Sequence, residues 1–296
     1  MTSRSLHTLL HTVVDYAGLF PPAGLPMAAA VTNYAAYRRS SEAWMLGRFV
    51  VPVARLGEMR EAMDAAGAPD DGHAWRVSAL VGDDVAGDVA AVTRFNDSHG
   101  GAVVDALEAR AASGDAVRGI AARVPGGLKT YVEIPAAGDP GELVTVVAAA
   151  KLRAKIRTGG VTAEAFPAVE AVARFVRACY ASGVAFKATA GLHHPLRGEH
   201  ALTYEPGAPR GVMHGFLNVF LAAAFHYNGL TVRDAHDLLR APSLDGITLD
   251  DERLAWREYV VTLNELSVAR RRLAIAFGSC SFREPVDELT TLGLLT

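Results

Sequence analysis

Ala154-Lys155-Ile156-Arg157-Thr158-Gly159-Gly160, a periodic segment from Phe166 to Ser182, and Phe186-Lys187-Ala188-Thr189-Ala190-Gly191 follow one another within one continuous stretch. A short apolar run, a glycine turn, an amphipathic segment and a second short run make the pattern of strand, helix and parallel strand. Each run carries a lysine, in a chain where only four of the 29 basic residues are lysine. An arginine stays protonated inside a protein. A lysine that is desolvated or crowded by a cation can lose its proton and attack a carbonyl.

The alternation repeats on both sides of this unit. Before it, strands are predicted at Val13–Ala17, Arg48–Val51, Arg76–Val81, Ala102–Leu107 and Leu128–Ile134, each leading into a helical segment. After it comes a polar, Gly/Pro-bearing stretch from Pro195 to Gly211, then three helical segments up to Arg272. An eighth strand, Leu273–Phe277, ends in Gly278-Ser279-Cys280-Ser281. Eight such units predict an α/β fold, a (β/α)8 TIM barrel formed as a single domain over residues 1–296. Residues 195–270 would form a helical, lid-like insertion between strands 7 and 8.

Composition narrows the partners. Half of the residues are apolar, enough for a large core, and the formal net charge is −3. That balance argues against nucleic acid or an anionic membrane as partner. The one tight basic run, Arg270-Arg271-Arg272, ends a helical segment, where cations suit the helix dipole. Cys179 and Cys280 are too few for a disulfide framework or a thiolate metal site. With the polar start of the chain they point to a reducing cytoplasm. The most apolar helix, Met213–Phe225, is too short to cross a bilayer. A homo-oligomer stays open.

Strand alternation then places the charges. If Ala154 and Ile156 face the helices, Lys155 points into the barrel, as do Lys187, Glu133, Asp105 and Asp15 on their own strands. Charges aimed into a barrel are costly unless paired, so five of them indicate chemistry. A free lysine has a pKa of about 10.4. Two ammonium groups ~4 Å apart repel by ~4 kcal/mol at an effective dielectric of ~20, which favours a neutral, nucleophilic amine on one of them.

These motifs, in this order, resemble the deoxyribose-phosphate aldolase family of class I (Schiff-base) aldolases. Asp15-Tyr16-Ala17-Gly18-Leu19 is similar to the family's opening Asp-His-Thr-Leu-Leu, and Val50-Val51-Pro52 to its Val-Asn-Pro segment. Asp105 stands where the family has its strand-four Asp, and Leu128 to Glu133 resembles Leu-Lys-Val-Ile-Leu-Glu. Lys155 to Gly159 is similar to Lys-Thr-Ser-Thr-Gly, and Lys187 to Leu192 resembles Lys-Ala-x-Gly-Gly-Ile. Gly278-Ser279 looks like the strand-eight Gly-Thr-Ser. The chain departs from the pattern at Tyr16, which replaces a His, and at Ala190, which replaces a Gly. His193-His194 stand where the family has an Arg, and the long insertion has no counterpart.

The resemblance implies a lyase acting on a small carbonyl or hydroxy-carbonyl compound, with a phosphate on the substrate left open. Lys155 would be the nucleophile, Lys187 its electrostatic modulator and Asp105 the acid/base. Asp15 and Glu133 would orient lysines and substrate hydroxyls. Arg157, Thr158, Gly159, Gly191, Gly278 and Ser279 would line the substrate site, the glycines offering backbone N–H groups to an anion. This chemistry requires no cofactor. Two alternatives remain. One is a metal-dependent lyase or hydrolase holding its ion with His193, His194 and Glu133. The other is a non-catalytic barrel that binds a ligand or assembles with partners.

Overall fold

Strands β6 (Arg153–Arg157) and β7 (Phe186–Thr189) lie parallel, with Lys155 directly opposite Lys187. Ala154, Ile156, Phe186 and Ala188 turn outward into the apolar layer under the helices, fully buried. The alternation that buries these four sends both lysines into the interior. The computed structural model describes residues 2–69, 71–98 and 100–295.

On one side of this pair the sheet continues through β5 (Lys129–Glu133), β4 (Ala102–Arg110), β3 (Trp75–Leu80), β2 (Leu46–Pro52) and β1 (Val14–Tyr16). The ring closes through β13 (Ala274–Ser279), which pairs in parallel with both β1 and β7. Helices α2 (Met27–Arg38), α3 (Leu56–Ala65), α4 (Val85–Ser98), α5 (Gly114–Ala121), α6 (Gly141–Ala149) and α7 (Val169–Ala181) follow the first six strands in turn. Helix α11 (Arg283–Thr291) follows β13, and α1 (Arg4–Leu10) precedes β1. The chain is a closed, eight-stranded parallel barrel wrapped in helices.

The segment between β7 and β13 carries the three helices that the sequence suggested but is not helical throughout. It holds a hairpin of β8 (Gly198–Ala201) and β9 (Arg210–Met213), then α8 (Phe216–Phe225) and α9 (Val232–Arg240). A three-stranded antiparallel sheet follows, formed by β10 (Ile247–Leu249), β11 (Arg253–Trp256) and β12 (Tyr259–Thr262), and α10 (Leu263–Arg272) leads into β13. Burial alternates along β11 and β12: Leu254, Trp256, Tyr259 and Val261 face inward. That period of two extends over only four residues per strand, too few to stand out from a helical reading. From the loop of the hairpin, Tyr204 reaches the barrel mouth. The antiparallel sheet sits beside α1, where Asp250 accepts from Ser5 and Asp251 from the Arg4 backbone.

All ten residues of α8 are buried. Phe216 and Phe220 pack on Phe277 of β13, with ring centroids 4.8 and 5.9 Å apart. Burying each such side chain contributes ~2 kcal/mol, so α8 anchors the whole segment to the barrel wall. No helix among the described residues is long and apolar enough to cross a membrane.

Candidate active site

Three neighbouring strands set a charged row across the barrel interior. Glu133 of β5 is in register with Lys155 of β6, and Lys155 with Lys187 of β7. A carboxylate that the sequence reading missed, Glu108 of β4, joins the two amines. Its Oε2 lies 2.8 Å from Lys155 Nζ, and its Oε1 accepts from Lys187 Nζ at 2.5 Å and from Ser78 Oγ at 2.7 Å. Lys187 also donates to Asp15 Oδ2 at 2.6 Å, while Asp15 Oδ1 accepts from the Arg48 backbone N–H.

The two lysines are held differently. Lys187 is 1% exposed and makes two aligned hydrogen bonds. Burial alone would strip its proton, but Asp15 and Glu108 outweigh it and raise its pKa above the ordinary lysine value. Lys155 lies within 2.8 and 2.9 Å of Glu108 and Glu133, yet neither approach is aligned as a hydrogen bond, and buried Glu133 Oε2 is left without one. Burial pushes the Glu108 and Glu133 carboxyls up. Lys155 and Lys187 overcome that at Glu108, and Lys155 with Arg157 and Arg110 at Glu133, holding both below the usual carboxylate range. The sequence reading anticipated two ammonium groups repelling each other, whereas the structure puts a shared carboxylate between them.

Lys155 also borders a cavity of about 340 Å³ at the carboxyl ends of the strands. Glu108, Arg110, Arg157, His193, Gly278 and Cys280 line it as well, but Lys187 does not. Arg110 and Arg157 each approach Glu133 Oε1 through Nε, at 3.4 and 3.3 Å. On the opposite wall His193 Nδ1 lies 3.2 Å from Glu284, 3.3 Å from Ser279 Oγ and 3.8 Å from Cys280 Sγ. Burial lowers the His193 pKa, but Cys280 and Glu284 offset it and raise it to about 10. Tyr204 reaches in from the insertion, its hydroxyl 3.1 Å from Glu284 and 3.4 Å from Cys280. Beneath the lysines lies the Tyr131 ring, with Lys187 Nζ and Arg153 Cζ each 5.5 Å from its centroid.

The remaining expected site residues divide. Gly278 lines the cavity, and Ser279 is occupied with His193. Thr158 is fully buried and donates to the carbonyls of Thr189 and Ala190, stapling β6 to β7. Gly159 and Gly191 lie under the ring of Phe166: a methyl on Gly159 would sit 2.4 Å from Phe166 Cε1, and one on Gly191 would sit 2.7 Å from it. Gly191 has a φ of +72°, which glycine alone adopts without strain. This pair packs an aromatic ring where the resemblance implied an anion.

Asp105 is not in the site. It bonds Arg48 at 2.5 and 2.8 Å, Arg76 at 2.9 Å and Lys129 at 3.3 Å, toward the amino ends of the strands. The cause is a register shift between β3 and β4. Val77 pairs with Val104 and Ser78 with Ala106, so Asp105 is an extra residue that resets the alternation. Glu108, beyond the predicted strand end at Leu107, therefore faces the interior. Even with the strand extended to Arg110, alternation counted from Asp105 turns Glu108 outward, so the extra residue hides it.

Nor are His193, His194 and Glu133 brought together. Among the described residues, the His/Cys/Asp/Glu group with metal-ligand spacing is His194, His200 and Glu288. Its two imidazoles stack at 3.4 Å and 9°, so their ring planes run side by side. No protein-family model matches the chain, and no curated protein or solved structure does either. Barrels of this architecture place their chemistry at the carboxyl ends of the strands, where Lys155 and its cavity lie.

Proposed function

We propose that the chain is a Schiff-base lyase acting on a small carbonyl compound, with Lys155 as the nucleophile. The observation that carries this reading is the asymmetry of the lysine pair. Lys155 borders a cavity of ligand size, while Lys187, held by Asp15 and Glu108, does not line it.

Lys155 passes a proton to Glu108 or Glu133 and attacks the carbonyl carbon. The resulting hydroxyl is protonated and leaves as water, giving an iminium on Nζ. When a bond beyond the α-carbon breaks, its electrons move to the iminium nitrogen and form an enamine. The hydroxyl proton of the departing carbonyl fragment goes to a base, the enamine carbon is then protonated, and water releases the product. Glu108 and Glu133 both lie against Lys155 Nζ, and carboxylates in that position favour a persistent cation there. Glu108 takes the proton-shuttling part first given to Asp105, since it touches both amines. His193, facing the cavity from the other wall, is the second proton-bearing group in reach of a substrate.

Borohydride reduction with a panel of acetaldehyde, acetone, pyruvate and glyceraldehyde 3-phosphate tests this. At least one should leave a covalent adduct on the Lys155 peptide by mass spectrometry, and Lys155→Met should abolish it. Turnover of any substrate found should fall by at least ~10³-fold in that variant. No adduct across the panel, or an adduct on another lysine, would sink the reading.

A further inference from the structure

The amino ends of the barrel strands enclose a second cavity, of about 550 Å³, on the opposite side of Tyr131 from the lysine pair. Six cations line it: Arg48, Arg76, Lys129, Arg153, Arg270 and Arg271. Among the described residues only one carboxylate, Asp105, pairs with any of them, and it serves Arg48, Arg76 and Lys129 together. The other three have no acidic partner. Arg153 donates to the Tyr131 hydroxyl and Arg271 to Ser267. Arg270 is 9% exposed; its terminal nitrogens reach the carbonyls of Ala274, Ile275 and His11, and its buried Nε has no hydrogen-bond partner.

So large a surplus of positive charge in a concave, half-enclosed site is unfavourable without a counter-charge. The chain as a whole is slightly acidic, and these cations line a pit rather than spread along a face, which suits a small ligand better than a nucleic acid. Guanidinium forks match phosphoryl oxygens in geometry, and several forks around one cavity match a ligand with several such oxygens. The volume lies within the range of small-ligand sites. We propose that this cavity binds a diphosphate group, either as free pyrophosphate or as the diphosphate of a nucleotide. The site is separate from the proposed chemistry of Lys155 and does not depend on it.

Titration calorimetry on the whole chain, at about 0.15 M salt so that loose surface attraction is screened, tests the proposal. Pyrophosphate should bind at least ~10-fold more tightly than orthophosphate, and it should raise the unfolding midpoint. Arg153→Gln and Arg271→Gln should each weaken binding by ~10-fold or more, as expected for loss of a charge-assisted contact. Arg271 is exposed, so that variant should fold normally, which circular dichroism checks. Arg157→Gln, at the other end of the barrel, should leave binding unchanged. ADP binding more tightly than pyrophosphate would identify a nucleotide as the source; ADP binding much more weakly would identify the inorganic anion. Absence of both heat and stabilisation with pyrophosphate would overturn the proposal. So would loss of binding in Arg157→Gln but not in Arg153→Gln.

Discussion

The two ends of the barrel hold their charges in different ways on the same eight strands. At the carboxyl ends, Asp15, Glu108 and Glu133 meet Lys155, Lys187, Arg110 and Arg157, and each of these cations has a carboxylate partner. At the amino ends, six cations meet Asp105 alone. Both ends bury charge, but the first satisfies it internally and the second does not. A closed ion-pair cluster with one amine facing a cavity suits chemistry at that amine. An open cluster of one sign suits capture of the opposite sign from solution. The two carboxylates at the centres, Glu108 and Asp105, sit three residues apart on β4, so a single strand serves both ends.

That contrast can be broken most severely at Glu108. Glu108→Gln leaves two buried ammonium groups without their shared partner and should cost about 3–5 kcal/mol, read by urea unfolding. Asp105→Asn makes the comparison sharper. Its carboxylate is partly reached by water, so the loss should be nearer ~2 kcal/mol, and added pyrophosphate should restore much of it. Glu108→Gln should gain nothing from the same anion. If both variants respond alike, the two ends are not distinct.

Acid and base should then separate the contributions. Glu108 and Glu133 have folded pKa values below the ordinary 4.5, so their stabilisation is complete above that pH and is lost as pH falls toward the folded values. Lys187 is raised above its ordinary 10.5, so its share is complete below that pH and is lost as pH rises beyond it. The Tm should fall outside these limits, with a shallower acid limb in Glu108→Gln, and should also decline between about pH 6.5 and 10 as the raised His193 loses its share. The smallest expected effect is at Ser78, whose hydroxyl donates to Glu108; Ser78→Ala should cost about 1 kcal/mol.

The barrel and the row of Glu133, Lys155 and Lys187 were legible because β5, β6 and β7 alternate without interruption. Asp15 was legible for the same reason, although its strand has only three residues. Glu108 was hidden by the extra residue at Asp105, a pairing irregularity that one strand read alone does not reveal. The basic cavity was hidden for a different reason. Arg48, Arg76, Lys129 and Arg153 each sit at a strand start, and they converge only once the ring closes. Arg270 and Arg271 read locally as the end of a helix, which they also are. The antiparallel sheet of β10 to β12 escaped because each strand is shorter than the window in which a period can be recognised.

Tyr131 gives the arrangement its last consequence. Cations from both chambers touch one aromatic ring, whose apolar body fills the space between them. A ring in that position puts apolar matter between the acids above and the cations below, and so weakens their mutual neutralisation. A single polypeptide thereby keeps a neutralised cluster and an unneutralised one less than a barrel's length apart.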